Sequence, residues 1–154
     1  MPWLCGRENA ELVSLNGCDL IASPFELQSD YSRAVALDYM TEVAEQLLPP
    51  HEPNEKFFRL LAAALEYLRG GGDVWTAVAY YSLWAVRLTG IFPELRVSRA
   101  SADIAEEMFH TPLRSLSARE WNKTTASDLR RQLIRTMEQH AERRFLTVPL
   151  LEAL

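Results

Sequence analysis

Cysteine is nearly missing from this chain. Only Cys5 and Cys18 occur among 154 residues, with no C-x-x-C pair. A tetrahedral cysteine zinc site is therefore excluded, and a single Cys5–Cys18 disulfide in an oxidising compartment is the most the thiols permit. Glycine is also sparse: six in all, three of them at Gly70-Gly71-Gly72. That triplet comes after a helical pattern rather than a strand, and neither a P-loop nor a G-x-G-x-x-G exists, so phosphate cradles are excluded. No apolar run is long enough to span a bilayer. The longest, Val74 to Leu88, is interrupted by Thr76, Ser82 and Arg87, and reads as a buried helix. The start MPWLCGRENAEL lacks a basic segment followed by a long apolar one, so no signal peptide is read and a cytoplasmic location is expected.

What remains is ordinary for a globular domain: 48% hydrophobic residues, 24% charged, and a net charge of −5. The charge is unevenly placed. Residues 1–50 set Arg7 and Arg33 against eight acids, a net of −6, whereas residues 111–146 set eight cations against four acids, a net of +4. An anionic partner is expected on the C-terminal half.

The patterning from Ser29 onward is helical. Ser29 or Asp30 is placed to cap a helix running to Leu48, which Pro49-Pro50 stops. Pro53 is expected in the first turn of a second helix, with Phe57, Leu60, Leu61, Ala64, Leu65 and Leu68 on its buried stripe. The glycine triplet ends it and Asp73 caps a third, apolar on nearly every side, that closes at Gly90 and Pro93. A shorter helix is expected from about Ala102 to Phe109. A last long one opens at Thr125, reaches about Phe145, and is closed off by Pro149. Residues 1–28 are less regular, and Asn16-Gly17 suits a short hairpin turn there. The fold class is all-α: about five helices in one compact domain over 29–154, after a short irregular or hairpin segment at 1–28.

Candidate chemistry is thin. Glu107 and His110 form one E-x-x-H half-site, but the second pair and the further glutamates of a di-metal centre are missing. No nucleophile elbow accompanies His51 or His140. No enzyme activity, metal or cofactor is expected. Arg130, Arg131, Arg135, Arg143 and Arg144, with Arg96 and Arg99 from the segment after the third helix, are candidates for an anion-attracting surface. An acidic peptide or DNA phosphates would suit it. Arg135 is also spaced to pair with Glu138. Trp121 is read as a lid over the helix junction.

Two blocks carry a family pattern. LLPPHEPNEKFFRLLAAALEYL supplies Leu47, Leu48, Pro49, Glu52, Pro53, Asn54, Phe58, Leu60 and Leu61. YYSLWAVRLTGIFPEL supplies Tyr81, Leu83, Trp84, Arg87, Leu88, Gly90, Pro93 and Leu95. Together they resemble the helical C-terminal domain of the RecO recombination mediators. AEL at 10–12, PFELQSDY at 24–31 and the basic, leucine-bearing end extend the likeness. The resemblance implies a non-catalytic repair role in the RecF pathway. Its partners would be RecR and the acidic C-terminal tail of single-stranded DNA-binding protein, in support of RecA loading. Two departures accompany it. Residues 1–28 leave room for at most a remnant of the family's OB-fold barrel, so weak, salt-dependent DNA binding or none is expected. Where many members carry four zinc-binding cysteines, this chain has Arg96-Val-Ser-Arg-Ala-Ser-Ala. The competing expectation is a structural or regulatory helical protein that kept the fold and lost the mediator role.

Overall fold

The computed structural model describes residues 14–154 and the backbone of Leu4–Cys5. Six α-helices lie among the described residues: α1 (Tyr31–Leu47), α2 (Glu55–Arg69), α3 (Val74–Leu88), α4 (Arg99–His110), α5 (Ser127–His140) and the short α6 (Val148–Glu152). Single 3-10 turns occupy Phe25–Ser29 and Leu113–Ser115. Strands β1 (Leu4–Cys5) and β2 (Ser14–Leu15) pair antiparallel, Leu4 opposite Leu15. This corrects the hairpin expected at Asn16-Gly17, because β2 ends before that dipeptide and pairs backward along the chain. The side chains of Trp3 and Cys5 lie outside the described residues, while Cys18 is exposed.

The starts of α1 to α4 obey side-chain chemistry, whereas α5 and α6 begin without a side-chain cap. Asp30 accepts from the Arg33 amide (3.0 Å), Asn54 from that of Phe57 (3.0 Å), Asp73 from that of Thr76 (2.9 Å), and Ser98 from that of Ser101 (3.3 Å). Each satisfies a backbone donor that the first helical turn leaves orphaned. Two boundaries differ from expectation here. Pro53 stands just outside α2, because Asn54 takes the cap. The Ser98 cap starts α4 three residues earlier than the apolar pattern suggests. The ends are as informative. After α2 the Gly72 amide returns to the Tyr67 carbonyl (2.9 Å), with Gly71 at φ 86°. After α3 the Ile91 amide returns to Val86 (3.1 Å), with Gly90 at φ 76°. Both closures need a left-handed residue, which glycine adopts without steric cost.

Helix α3 is the axis of the domain and packs against α1, α2, α4 and α5. Its Ala77, Val78, Tyr81, Leu83, Ala85 and Val86 are fully buried, as its apolar sequence requires. Polar atoms in this core are paired. The Tyr39 and Ser82 hydroxyls are 2.7 Å apart, and the Tyr81 hydroxyl donates to the Met40 carbonyl at 2.7 Å. Burial pushes both phenols up, so each stays a neutral donor. Leu27 is buried with the helical core, so the turn at Phe25–Ser29 is packed onto the domain.

Helix α5 is shorter than its sequence suggests. It begins at Ser127 after a left-handed Ala126 (φ 51°) and stops at His140 rather than near Phe145. The remaining residues turn back and form α6, in which Pro149 occupies the first turn instead of acting as a terminator. No described helix is long and apolar enough to cross a membrane.

Candidate partner-binding surface

The arginines expected from sequence to attract anions separate into three groups. Arg96, Arg131 and Arg135 line one groove of about 480 Å³ between α5 and the segment after α3. Arg135, Arg143 and Arg144 line a second, of about 610 Å³, together with Glu138 and Glu142. Arg135 borders both, so these exposed cations, on α5 and on the segments before α4 and after α5, form one continuous strip. Arg99 is exposed at the start of α4.

Arg130 does not belong to that strip. It is 2% exposed, its guanidinium lies 4.5 Å from the Trp75 ring centroid, and it donates to Glu152 (3.3 Å) and the Lys123 carbonyl (2.9 Å). The expectation that it offers an anion contact is corrected, because every face of its side chain is already occupied. The expected Arg135–Glu138 pair is also replaced. Glu138 is 9% exposed and takes Arg144 (3.0 Å) and the Phe145 amide (2.9 Å), since the chain folds back over the end of α5.

Two polar residues of α5 hold the segment carrying Arg96. Gln132 accepts from the Arg96 amide (2.9 Å) and donates to the Glu94 carbonyl (2.7 Å). Asp128 accepts from the Ser98 amide (2.7 Å) and the Ser101 hydroxyl (2.5 Å). Burial works against the Asp128 charge, but these bonds outweigh it and hold the carboxyl down to about 2, from an ordinary 3.8. A depressed carboxyl stabilises the fold above its unfolded value, and the contribution fades as pH falls from about 4 towards 2. Asp128→Asn keeps one acceptor oxygen and loses the charge. In urea unfolding it is expected to cost about 1–2 kcal/mol at pH 7 and progressively less on acidification. A gap that stayed constant from pH 7 to pH 2 would contradict this role.

A third concavity was not legible as a site in the sequence. Between α2 and α3, Leu60, Ala63, Tyr80, Trp84 and Leu88 floor a groove of about 530 Å³, with Lys56 and Arg59 beside it. Tyr80, Trp84 and Leu88 recur every four residues, so they share one side of α3 and remain half-buried while Thr76 to Ala79, Tyr81 to Leu83, Ala85 and Val86 are covered. The Trp84 indole donates to the Met108 carbonyl (3.1 Å) and its ring meets Phe109 edge-on, which fixes the wall of the groove. Lys56 and Arg59 are exposed and form no ion pair among the described residues. An aromatic floor beside two free cations suits an apolar side chain attached to a carboxylate-bearing segment. The four-residue spacing of amphipathic rings was the available signal, masked by reading α3 as buried all round.

Comparison with known proteins decides the family. A family model described as "Recombination protein O C terminal" matches residues 28–101. "DNA repair protein RecO" of Koribacter versatilis (strain Ellin345) is 34% identical over 182 residues, covering 96% of this chain and 74% of the relative. The chain belongs to the RecO family. Two further RecO proteins align: that of Anaeromyxobacter sp. (strain K), 29% identical over 65% of this chain and 40% of its own, and that of Exiguobacterium sp. (strain ATCC BAA-1283 / AT1b), 27% identical over 90% and 57%. No solved structure matches. Membership in RecO places the chain in DNA repair and recombination.

The matched block spans α1, α2, α3 and the first turn of α4, and so contains every residue of the α2–α3 groove. The E-x-x-H half-site is not assembled in this RecO chain. Glu107 accepts from the Ser117 amide (2.5 Å) and pairs with Arg119, whereas His110 bonds the Glu106 carbonyl (2.9 Å). Among the described residues no group of three His, Cys, Asp or Glu is gathered that would hold a metal. Trp121 packs against the core edge, and Arg119 lies over its ring at 5.9 Å.

Proposed function

We propose that this chain is the partner-binding helical module of a RecO-type DNA repair mediator, acting by recruitment rather than by chemistry. In this reading the α2–α3 groove takes the acidic C-terminal tail of single-stranded DNA-binding protein. The tail's apolar end rests on Tyr80, Trp84 and Leu88, and its carboxylates meet Lys56 and Arg59. The exposed strip of Arg96, Arg131, Arg135, Arg143 and Arg144, with Arg99 nearby, serves a second anionic partner: RecR or DNA phosphates. Holding these partners together supports RecA loading. The observation that carries the reading is the coincidence of a half-buried aromatic floor with two exposed cations, unpaired among the described residues, in one groove.

The overall net charge of −5 works against DNA affinity. Contact through the arginine strip is therefore expected to be weak and to fall steeply with salt. Tail binding, resting on apolar burial, is expected to survive moderate salt better. Fluorescence anisotropy with a labelled acidic, apolar-ended tail peptide tests both surfaces. Saturable binding is expected for the native chain. The double change Lys56→Glu with Arg59→Glu should weaken it about tenfold or more, while Arg131→Glu with Arg135→Glu leaves it within about twofold. No saturable binding at low salt would overturn the proposal and favour a helical protein that kept the RecO fold without the mediator role.

A further inference from the structure

Three helices of this domain end in the same backbone closure, but only two end it with glycine. After α5 the Arg143 amide returns to the Glu138 carbonyl (3.1 Å), as Gly72 and Ile91 do after α2 and α3. The left-handed position filled by Gly71 and Gly90 is here Glu142, at φ 53°. A side-chain-bearing residue is disfavoured there. Local sequence gives no reason for the break: Gln139 to Phe145 contains neither glycine nor proline and is rich in Ala, Glu and Arg, which favour a continued helix. Local preference and tertiary structure disagree at this point.

The C-terminal residues hold the break open. Residues 143–154 form a strap that runs back along α1, with Arg143 bonded to Gln46 (3.2 Å). The Glu42 carboxylate accepts from the Leu146 amide (2.7 Å), the Thr147 amide (2.9 Å) and the Thr147 hydroxyl (2.6 Å). Glu138 takes the Phe145 amide, Arg130 takes Glu152, and Phe145 and Leu151 are buried in the core. Every one of these receiving groups lies outside the strap. None depends on the strap belonging to the same chain.

We infer that residues 143–154 are an exchangeable strap and that the partner fitted by the groove along α1 that holds it is a second copy of the chain. With α5 continued through Ala141 and Glu142, Glu142 returns to helical geometry and the strap from Arg143 onward is carried about 3 Å outward along the helix axis. It then docks in the neighbour's groove while the neighbour's strap docks in return. Each groove regains the contacts it had, and the symmetry closes at two chains. Strap exchange removes the unfavourable backbone at Glu142 and otherwise conserves the interface, so concentration decides between the two forms.

The experiment combines light scattering over a concentration series with hydrogen exchange at the Leu146 and Thr147 amides, using the whole chain. Glu142→Val is expected to raise the dimer association constant about tenfold, because a β-branched residue resists the left-handed region most strongly. Glu142→Gly is expected to lower it, and the strap amides should stay protected in both. A Glu142→Val chain that is monomeric, whether its strap is protected or frayed, would overturn the inference. So would a dimer with unprotected strap amides. Should Glu142→Val fail to fold, the wild type is compared with Glu142→Gly. Greater dimer content in the wild type supports exchange, and equal content overturns it.

Discussion

Arg130→Ala is expected to lower folding stability by about 3 kcal/mol, although the residue lies in the most basic stretch of the chain. Its side chain is the largest that is fully buried among the described residues. Truncation leaves a void against Trp75, removes the cation–π contact at 4.5 Å, and strips the half-exposed Glu152 of its partner. The Lys123 carbonyl loses its donor as well. Because Glu152 belongs to the strap along α1, the loss should also loosen residues 143–154. Arg131→Ala, one position on and exposed, is expected to change stability by less than about 0.5 kcal/mol. Urea unfolding of the two variants measures the difference directly. Equal midpoints would show that Arg130 is not the structural element its burial implies.

Leu83→Ala should be at least as damaging, at about 3–4 kcal/mol. Leu83 is fully buried on α3, the helix in contact with α1, α2, α4 and α5. A cavity in the middle of four helices cannot collapse without shifting all of them, so relaxation recovers little of the lost contact energy. Leu150→Ala, at 45% exposure on α6, is the contrasting case and should cost less than about 1 kcal/mol. Thermal unfolding of both variants at one protein concentration checks the ordering. Comparable losses would mean that α3 is not the packing axis.

The apolar periodicity and the capping residues Asp30 and Asp73, with Gly90 at the end of α3, make most of the helical frame legible from sequence, and the family pattern sits in that same block. Helix starts are local chemistry: a side-chain oxygen within three residues of an orphaned amide. The end of α5 is illegible for the opposite reason. Nothing near His140 ends it; Glu42 on α1, about a hundred residues earlier, holds the returning strap. The Asn16-Gly17 turn fails similarly, since β2 finds its partner earlier in the chain.

The site divides along the same line. Seven arginines stand out by composition, and six of them are exposed. Arg130 and Arg131 are adjacent in sequence and alike in chemistry, and only packing against Trp75 and Glu152 distinguishes interior from surface. The α2–α3 groove joins Lys56 and Arg59 to Tyr80, Trp84 and Leu88. These lie on separate helices and become neighbours only when α2 and α3 pack. The sequence by itself determined the helical class, the capped starts of α1 and α3, the lack of a cysteine zinc site and the family. Each rests on interactions between residues a few positions apart, or on residue types that are present or missing. Tertiary structure alone decided which cations are free, where the apolar groove opens, and that α5 breaks at Glu142, because those outcomes depend on contacts whose partners are distant along the chain.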